Sequence, residues 1–170
     1  WNDGMNRVGE KGRGESVWLG WFLHTTLTEF AALARSRGDD DFAQACLEHQ
    51  ERLLAALELH GWDGGWYRRG YFDDGTPLGS VTRPECRIDA IAQSWAVLSG
   101  AARPARAAAV MEQVDRQLIL HDAKVARLFT PPFDRSEPDP GYIGAYPPGV
   151  RENGGQYTHG ALWSIFAYAK

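Results

Sequence analysis

A chain of 170 residues, 44% hydrophobic and 24% charged, falls in the range of one globular domain and argues against disorder. Its 18 Lys and Arg against 22 Asp and Glu, a formal net charge of −4, leave no basic surplus for a nucleic-acid partner. No apolar run approaches the roughly 18 to 20 residues that cross a bilayer, and Cys46 and Cys86 stand outside any Cys/His spacing, so neither a disulfide framework nor a metal site is expected. A reducing compartment, the cytoplasm, suits such cysteines.

The chain opens on Trp1-Asn2-Asp3-Gly4-Met5-Asn6, which sets an indole, an amide and a carboxylate side by side ahead of a helix. Such a group can stack on a sugar, bond its hydroxyls and protonate a glycosidic oxygen. By pattern alone it reads more readily as an Asn-Asp-Gly turn. Residues 15 to 37 then place Trp18, Phe22, Leu23, Leu27, Phe30, Leu33 and Ala34 at three- and four-residue spacings, which predicts a helix ending before Gly38. After Asp39-Asp40-Asp41, favourable at a helix N-terminus, residues 42 to 60 repeat the pattern. The short connection makes the two helices antiparallel neighbours.

Between 61 and 84 the period breaks. Glycines at 61, 64, 65, 70, 75 and 79 punctuate an aromatic segment of Trp62, Trp66, Tyr67, Tyr71 and Phe72, read as a functional loop or a hairpin turning at Asp74-Gly75. Rings and glycines together are what a glycan cleft uses, because rings stack on the C–H faces of sugars and glycine admits a ligand close to the backbone. Helical character returns over 88 to 98, resumes after Pro104 up to Leu118, and reappears over 157 to 169. The stretch from 120 to 151 carries six prolines with Phe129, Phe133, Tyr142 and Tyr146, and is read as a second functional loop. Its continuation, Arg151-Glu152-Asn153-Gly154-Gly155-Gln156-Tyr157-Thr158-His159, sets a glycine pair before a helix N-terminus, where backbone N–H groups favour phosphate. A lone His159 there reads more readily as an ordinary structural histidine than as a ligand.

Five ordered motifs change these readings: Trp1 to Arg7, Trp62 to Ser80, Ile88 to Gly100, Leu128-Phe129-Thr130-Pro131-Pro132-Phe133-Asp134 and Arg151 to His159. Together they resemble glycoside hydrolase family 94, in particular the phosphorylase-like region of cyclic β-1,2-glucan synthases. The resemblance implies an all-α chain forming part of an (α/α)6 barrel, a helical toroid with long aromatic-rich loops on one face. It implies an inverting exchange of a β-glucoside for α-glucose 1-phosphate, with Asp3 as general acid, Trp1 as a donor-sugar contact and His159 as a phosphate ligand. Asn2, Arg69, Gln93 and Glu152 are further candidates for sugar or phosphate contacts. The expected partners are a β-glucan oligosaccharide and inorganic phosphate as co-substrate, with no other cofactor and no metal.

Because the chain begins on Trp1 and stops inside a helical pattern, 1–170 reads as a piece of a single larger catalytic domain, truncated at both ends and with no membrane span of its own, from a parent that could sit at an inner membrane. Apolar faces meant for missing helices then predict self-association. Two alternatives stay open: an inverting hydrolase with a base among Asp63, Asp73, Asp74 or Glu152, and a region that binds glycan without turnover.

Overall fold

The computed structural model describes residues 2–170. Five α-helices dominate it: α1 (Val17–Ser36), α2 (Asp40–Ala56), α3 (Ala90–Leu98), α4 (Pro104–Leu118) and α5 (Thr158–Ala169). Their ends follow local chemistry. Gly38 at φ 78° ends α1, and the Asp39 carboxylate accepts from the Phe42 N–H at 3.1 Å to cap α2. Asp89 caps α3 through the Ile91 N–H at 2.7 Å, Gly100 at φ 73° closes it, and Pro104 opens α4 where a missing N–H costs nothing. The helix expected over 42 to 60 stops earlier, at Ala56, and gives way to a wider π turn, Leu57–Gly61.

Helices α1 and α2 pack on each other through small side chains, Ala31, Ala34, Ala43 and Cys46. Helix α3 packs against α1, α4 and α5 and is buried on nearly all sides, which explains its almost uninterrupted apolar sequence.

The two long connections are ordered rather than structureless. The first contains β2 (Gly70–Tyr71) and β3 (Pro77–Leu78), an antiparallel hairpin turning through Asp74-Gly75, and β1 (Glu15–Ser16) adds to its edge with Gly70 opposite Ser16. Only glycine fits at 70, since a Cβ there would lie 2.2 Å from the Glu15 carbonyl oxygen. The strand β4 (Ile88–Asp89) pairs with β7 (Phe129–Thr130), and β5 (Ile119–Leu120) with β6 (Val125–Ala126). These strands are two residues each, so the helical expectation is qualified rather than displaced.

Most of the loop aromatics read as sugar contacts are core instead. Trp66, Tyr67, Phe72, Phe129 and Phe133 are all buried, because their rings supply much of the apolar area with which the loops close over the helices, alongside Leu78, Leu128 and Ile143. One cluster joins Met5, Val8 and Trp18 to Phe72, Leu78, Ile91, Leu128, Phe129, Phe133 and Ile143, and so fastens the N-terminal segment, the hairpin, α3 and the second connection together. The two connections also touch directly, through Arg135 N–H to Glu85 at 2.9 Å and the Arg83 guanidinium to the Glu137 carbonyl.

Candidate active site

Asn2 is the anchor of the N-terminal segment. Its amide oxygen accepts from Arg69 Nη2 at 2.9 Å, Trp18 Nε1 at 3.1 Å and the Ser16 hydroxyl at 3.3 Å. Asp3 follows at the start of a 3₁₀ turn, Asp3–Met5, which closes through the Met5 N–H to the Asn2 carbonyl at 3.0 Å and buries Met5. The Asp3 side chain is exposed. Trp1, expected as a sugar contact, lies outside the described residues.

This turn packs on a second 3₁₀ turn, Tyr142–Ala145. Gly4 leaves only 3.0 Å between a hypothetical Cβ and that of Ile143, while Asn6 Oδ1 accepts from the Tyr142 N–H at 3.1 Å and Arg7 pairs with Asp139 at 2.6 Å. Tyr142 is half exposed. Its phenol is held above the ordinary range first by partial desolvation, then by the negative charge of Asp3 and by Tyr146, Glu152 and Tyr157. Two residues singled out from the sequence, Asp3 and Glu152, thus both act electrostatically on one tyrosine. Tyr142 also lines a groove of about 580 Å³ together with Asn6, Arg7, Arg135, Glu137 and Asp139, among others.

Glu152 is mostly buried and pairs with Arg151 Nε at 3.3 Å, while the Arg151 guanidinium lies 4.7 Å from the centroid of the Tyr146 ring. Asn153 is fully buried and holds the backbone of both Phe133 and Tyr146, and Gly154 and Gly155 are buried against neighbouring backbone. The glycine pair thus serves a close chain crossing in this structure, a task the sequence did not reveal. His159 sits in the first turn of α5 with its ring 4.2 Å from that of Trp163, which lies 5.6 Å from Trp18, the donor to Asn2. Burial lowers the His159 pKa, favouring a neutral imidazole near pH 7.

Arg69 is 2% exposed, with its Nε 3.3 Å from Asp89 Oδ2 and its Nη1 3.1 Å from the Ser16 hydroxyl. Gln93 requires a correction. It is fully buried, and its amide takes the Tyr67 N–H at 2.8 Å and gives to the Tyr67 and Asp89 carbonyls at 2.7 and 3.0 Å, so its polar atoms serve the backbone rather than a sugar. Sequence reasoning missed Asp89, Trp18 and Tyr142. Asp89 carried one signal, a capping residue ahead of an apolar run, but nothing in that pattern pointed to Arg69.

The carboxylates considered as hydrolytic bases are mostly engaged elsewhere. Asp63 pairs with Arg68 at 2.5 Å and accepts from the Val81 N–H, Asp73 accepts from the N–H groups of Lys11, Arg13 and Gly14, and Asp74 closes its own turn through the Thr76 N–H. Among the described residues no group of three or more His, Cys, Asp and Glu gathers as a metal site, and no helix is long and apolar enough to cross a membrane.

A profile of the glycosyl hydrolase 94 superfamily catalytic domain matches residues 1–170. The chain belongs to this superfamily. Known proteins align along nearly all of it: a cyclic beta-(1,2)-glucan synthase of Rhizobium meliloti is 57% identical over 99% of the chain, and a solabiose phosphorylase of Paenibacillus borealis 38% identical over 98%. An N,N'-diacetylchitobiose phosphorylase of Vibrio proteolyticus is 33% identical over 100%. The chain spans 6% of that synthase and 22% and 21% of the two phosphorylases.

Proposed function

We propose that this chain is the acid-bearing part of an inverting β-glucan phosphorylase site, acting on β-1,2-linked glucan within a protein of the cyclic β-1,2-glucan synthase type. Its five helices would be one arc of an (α/α)6 barrel. A phosphate oxygen forms the new bond to the anomeric carbon from the face opposite the leaving oxygen, while Asp3 passes its proton to that oxygen. The products are α-glucose 1-phosphate and a shortened glucan. His159, neutral and at the N-terminal turn of α5, donates to phosphate together with that turn's backbone N–H groups. Trp1 and Glu152 contact the donor sugar, Asn2 and the buried Arg69 hold the turn that carries Asp3 rather than the sugar itself, and the groove beside Tyr142 takes the departing glucan. The reaction needs no cofactor beyond phosphate, and the free, buried Cys46 and Cys86 suit a cytoplasmic setting.

The observation that carries this reading is the family 94 catalytic-domain match over residues 1–170, in a chain whose other candidate carboxylates are engaged: Asp63, Asp73 and Asp74 in their own loops and Glu152 with Arg151. A phosphorylase needs one proton donor, whereas an inverting hydrolase also needs a second carboxylate to activate water. In the full-length protein, Asp3→Asn should lower phosphorolysis of natural oligoglucan by roughly 10² to 10⁴, the range of general acid catalysis. His159→Ala should chiefly raise the phosphate KM. Equal cleavage without phosphate, releasing free glucose, would end the phosphorylase reading.

A further inference from the structure

Burying a charged pair is costly, and apolar residues of similar volume often replace one without loss of stability. Arg69 and Asp89 are nonetheless 2% and 1% exposed. The root of Arg69 is fixed on both sides: its N–H bonds the Leu78 carbonyl at 2.7 Å, and its carbonyl accepts from the Val17 N–H at 3.1 Å. Two residues earlier, Gln93 grips Tyr67 at both backbone groups. Gly79, at φ 75°, lies so close that a Cβ there would come within 2.4 Å of the Arg69 nitrogen. Asp89 is equally fixed, in β4 and as the cap of α3.

From this rigid base the guanidinium reaches outward to Ser16 and Asn2. Three donors converge on the single Asn2 Oδ1, which sets the amide's orientation. The Cα of Asp3 is about 3.8 Å further along the chain. With Met5 buried and the turn closed, little freedom remains to Asp3 beyond its own side-chain torsions.

We propose that the buried Asp89–Arg69 pair is a positioning device for the proton donor, clamping Asn2 and so aiming the turn that carries Asp3. The proposal rests on the reading of Asp3 as general acid. Asp89 and Arg69 act through Asn2, and neither need touch the reacting atoms. A misplacement of about 1 Å can cost about 10² in rate, so loosening the clamp has a measurable consequence.

The test uses the full-length protein and two donors, a β-1,2-oligoglucan and β-glucosyl fluoride, each with inorganic phosphate. In the second, the bond from phosphate oxygen to the anomeric carbon forms as fluoride departs with its electron pair, and no proton donor is required. Asp89→Asn keeps the shape and the helix cap while removing the charge that holds Arg69. It should lower kcat on the oligoglucan by about 10- to 100-fold, leave the fluoride reaction and the phosphate KM little changed, and add nothing further in an Asp3→Asn background. Equal losses on both donors, or a loss that multiplies with that of Asp3→Asn, would show Asp89 to be merely structural and overturn the proposal. Full oligoglucan activity in Asp3→Asn alone would instead remove the parent reading, and the proposal with it. Should Asp89→Asn fail to fold, Asn2→Ala leaves the buried pair intact and tests the same clamp: a loss confined to the oligoglucan supports it, and a uniform loss or none overturns it.

Discussion

Replacing Asn153 by alanine probes how the segment bearing Glu152 and His159 is held. Asn153 Oδ1 accepts from the Phe133 N–H at 2.7 Å, and Nδ2 donates to the Phe133 carbonyl at 2.8 Å and the Tyr146 carbonyl at 2.7 Å. Alanine removes all three bonds. The Phe133 groups are buried and would be stranded, whereas the Tyr146 carbonyl is near enough to the surface for water to replace its partner. A stranded buried polar group costs about 1–3 kcal/mol, so two give about 2–6 kcal/mol. In a chain of this size each kcal/mol moves Tm by about 2–4 °C, and a mid-range loss of about 4 kcal/mol corresponds to a fall of about 8–16 °C. Asn153→Asp should be at least as severe, since it turns two donated bonds into contacts between a carboxylate and carbonyl oxygens. Circular dichroism melting of the chain measures both, and phosphorolysis by the full-length protein should fall as the 146–153 segment loosens. A Tm change under about 2 °C for Asn153→Ala would refute the clamp.

Gly79→Ala combines a left-handed backbone with a Cβ forced against Arg69, and should destabilise by about 2–4 kcal/mol, read by urea unfolding. Asp73 has its pKa lowered, first by the Lys11 N–H and also by those of Arg13 and Gly14, so the folded state keeps its carboxylate charged where the unfolded chain begins to protonate. Its contribution is therefore present above the unfolded pKa near 3.8 and is lost as pH falls through the lower folded value; amide exchange at Lys11, Arg13 and Gly14 should speed up over that window, and Asp73→Asn should speed it at neutral pH. Leu19, Phe22 and Leu23 of α1 and Leu162, Ile165 and Phe166 of α5 are exposed, so the isolated chain should self-associate in a concentration-dependent manner by light scattering, and a monodisperse monomer at high concentration would contradict that expectation.

The sequence determined the helices and the chemistry of the motifs, because both are local. Apolar spacing, the Gly38 and Gly100 stops, the Asp39 cap and the Asp74-Gly75 turn each act within a few residues, and the helices and turn appear where they placed them, although α2 ends early at Ala56 and Phe22, Leu23, Phe30 and Leu33 of the α1 stripe are exposed. The order of motifs from Trp1 to His159 likewise carried the family. Tertiary packing decided which polar residues are free to act. Arg69 meets Asn2 across 67 positions, and Gln93 meets Tyr67 across 26. Periodicity has no term for such pairings, and an Arg or Gln in a glycine-rich loop looks the same whether it faces a sugar or a backbone. The loop aromatics followed the same rule: their rings suit a sugar or a core equally, and the need to cover helices α1, α3 and α4 buried most of them.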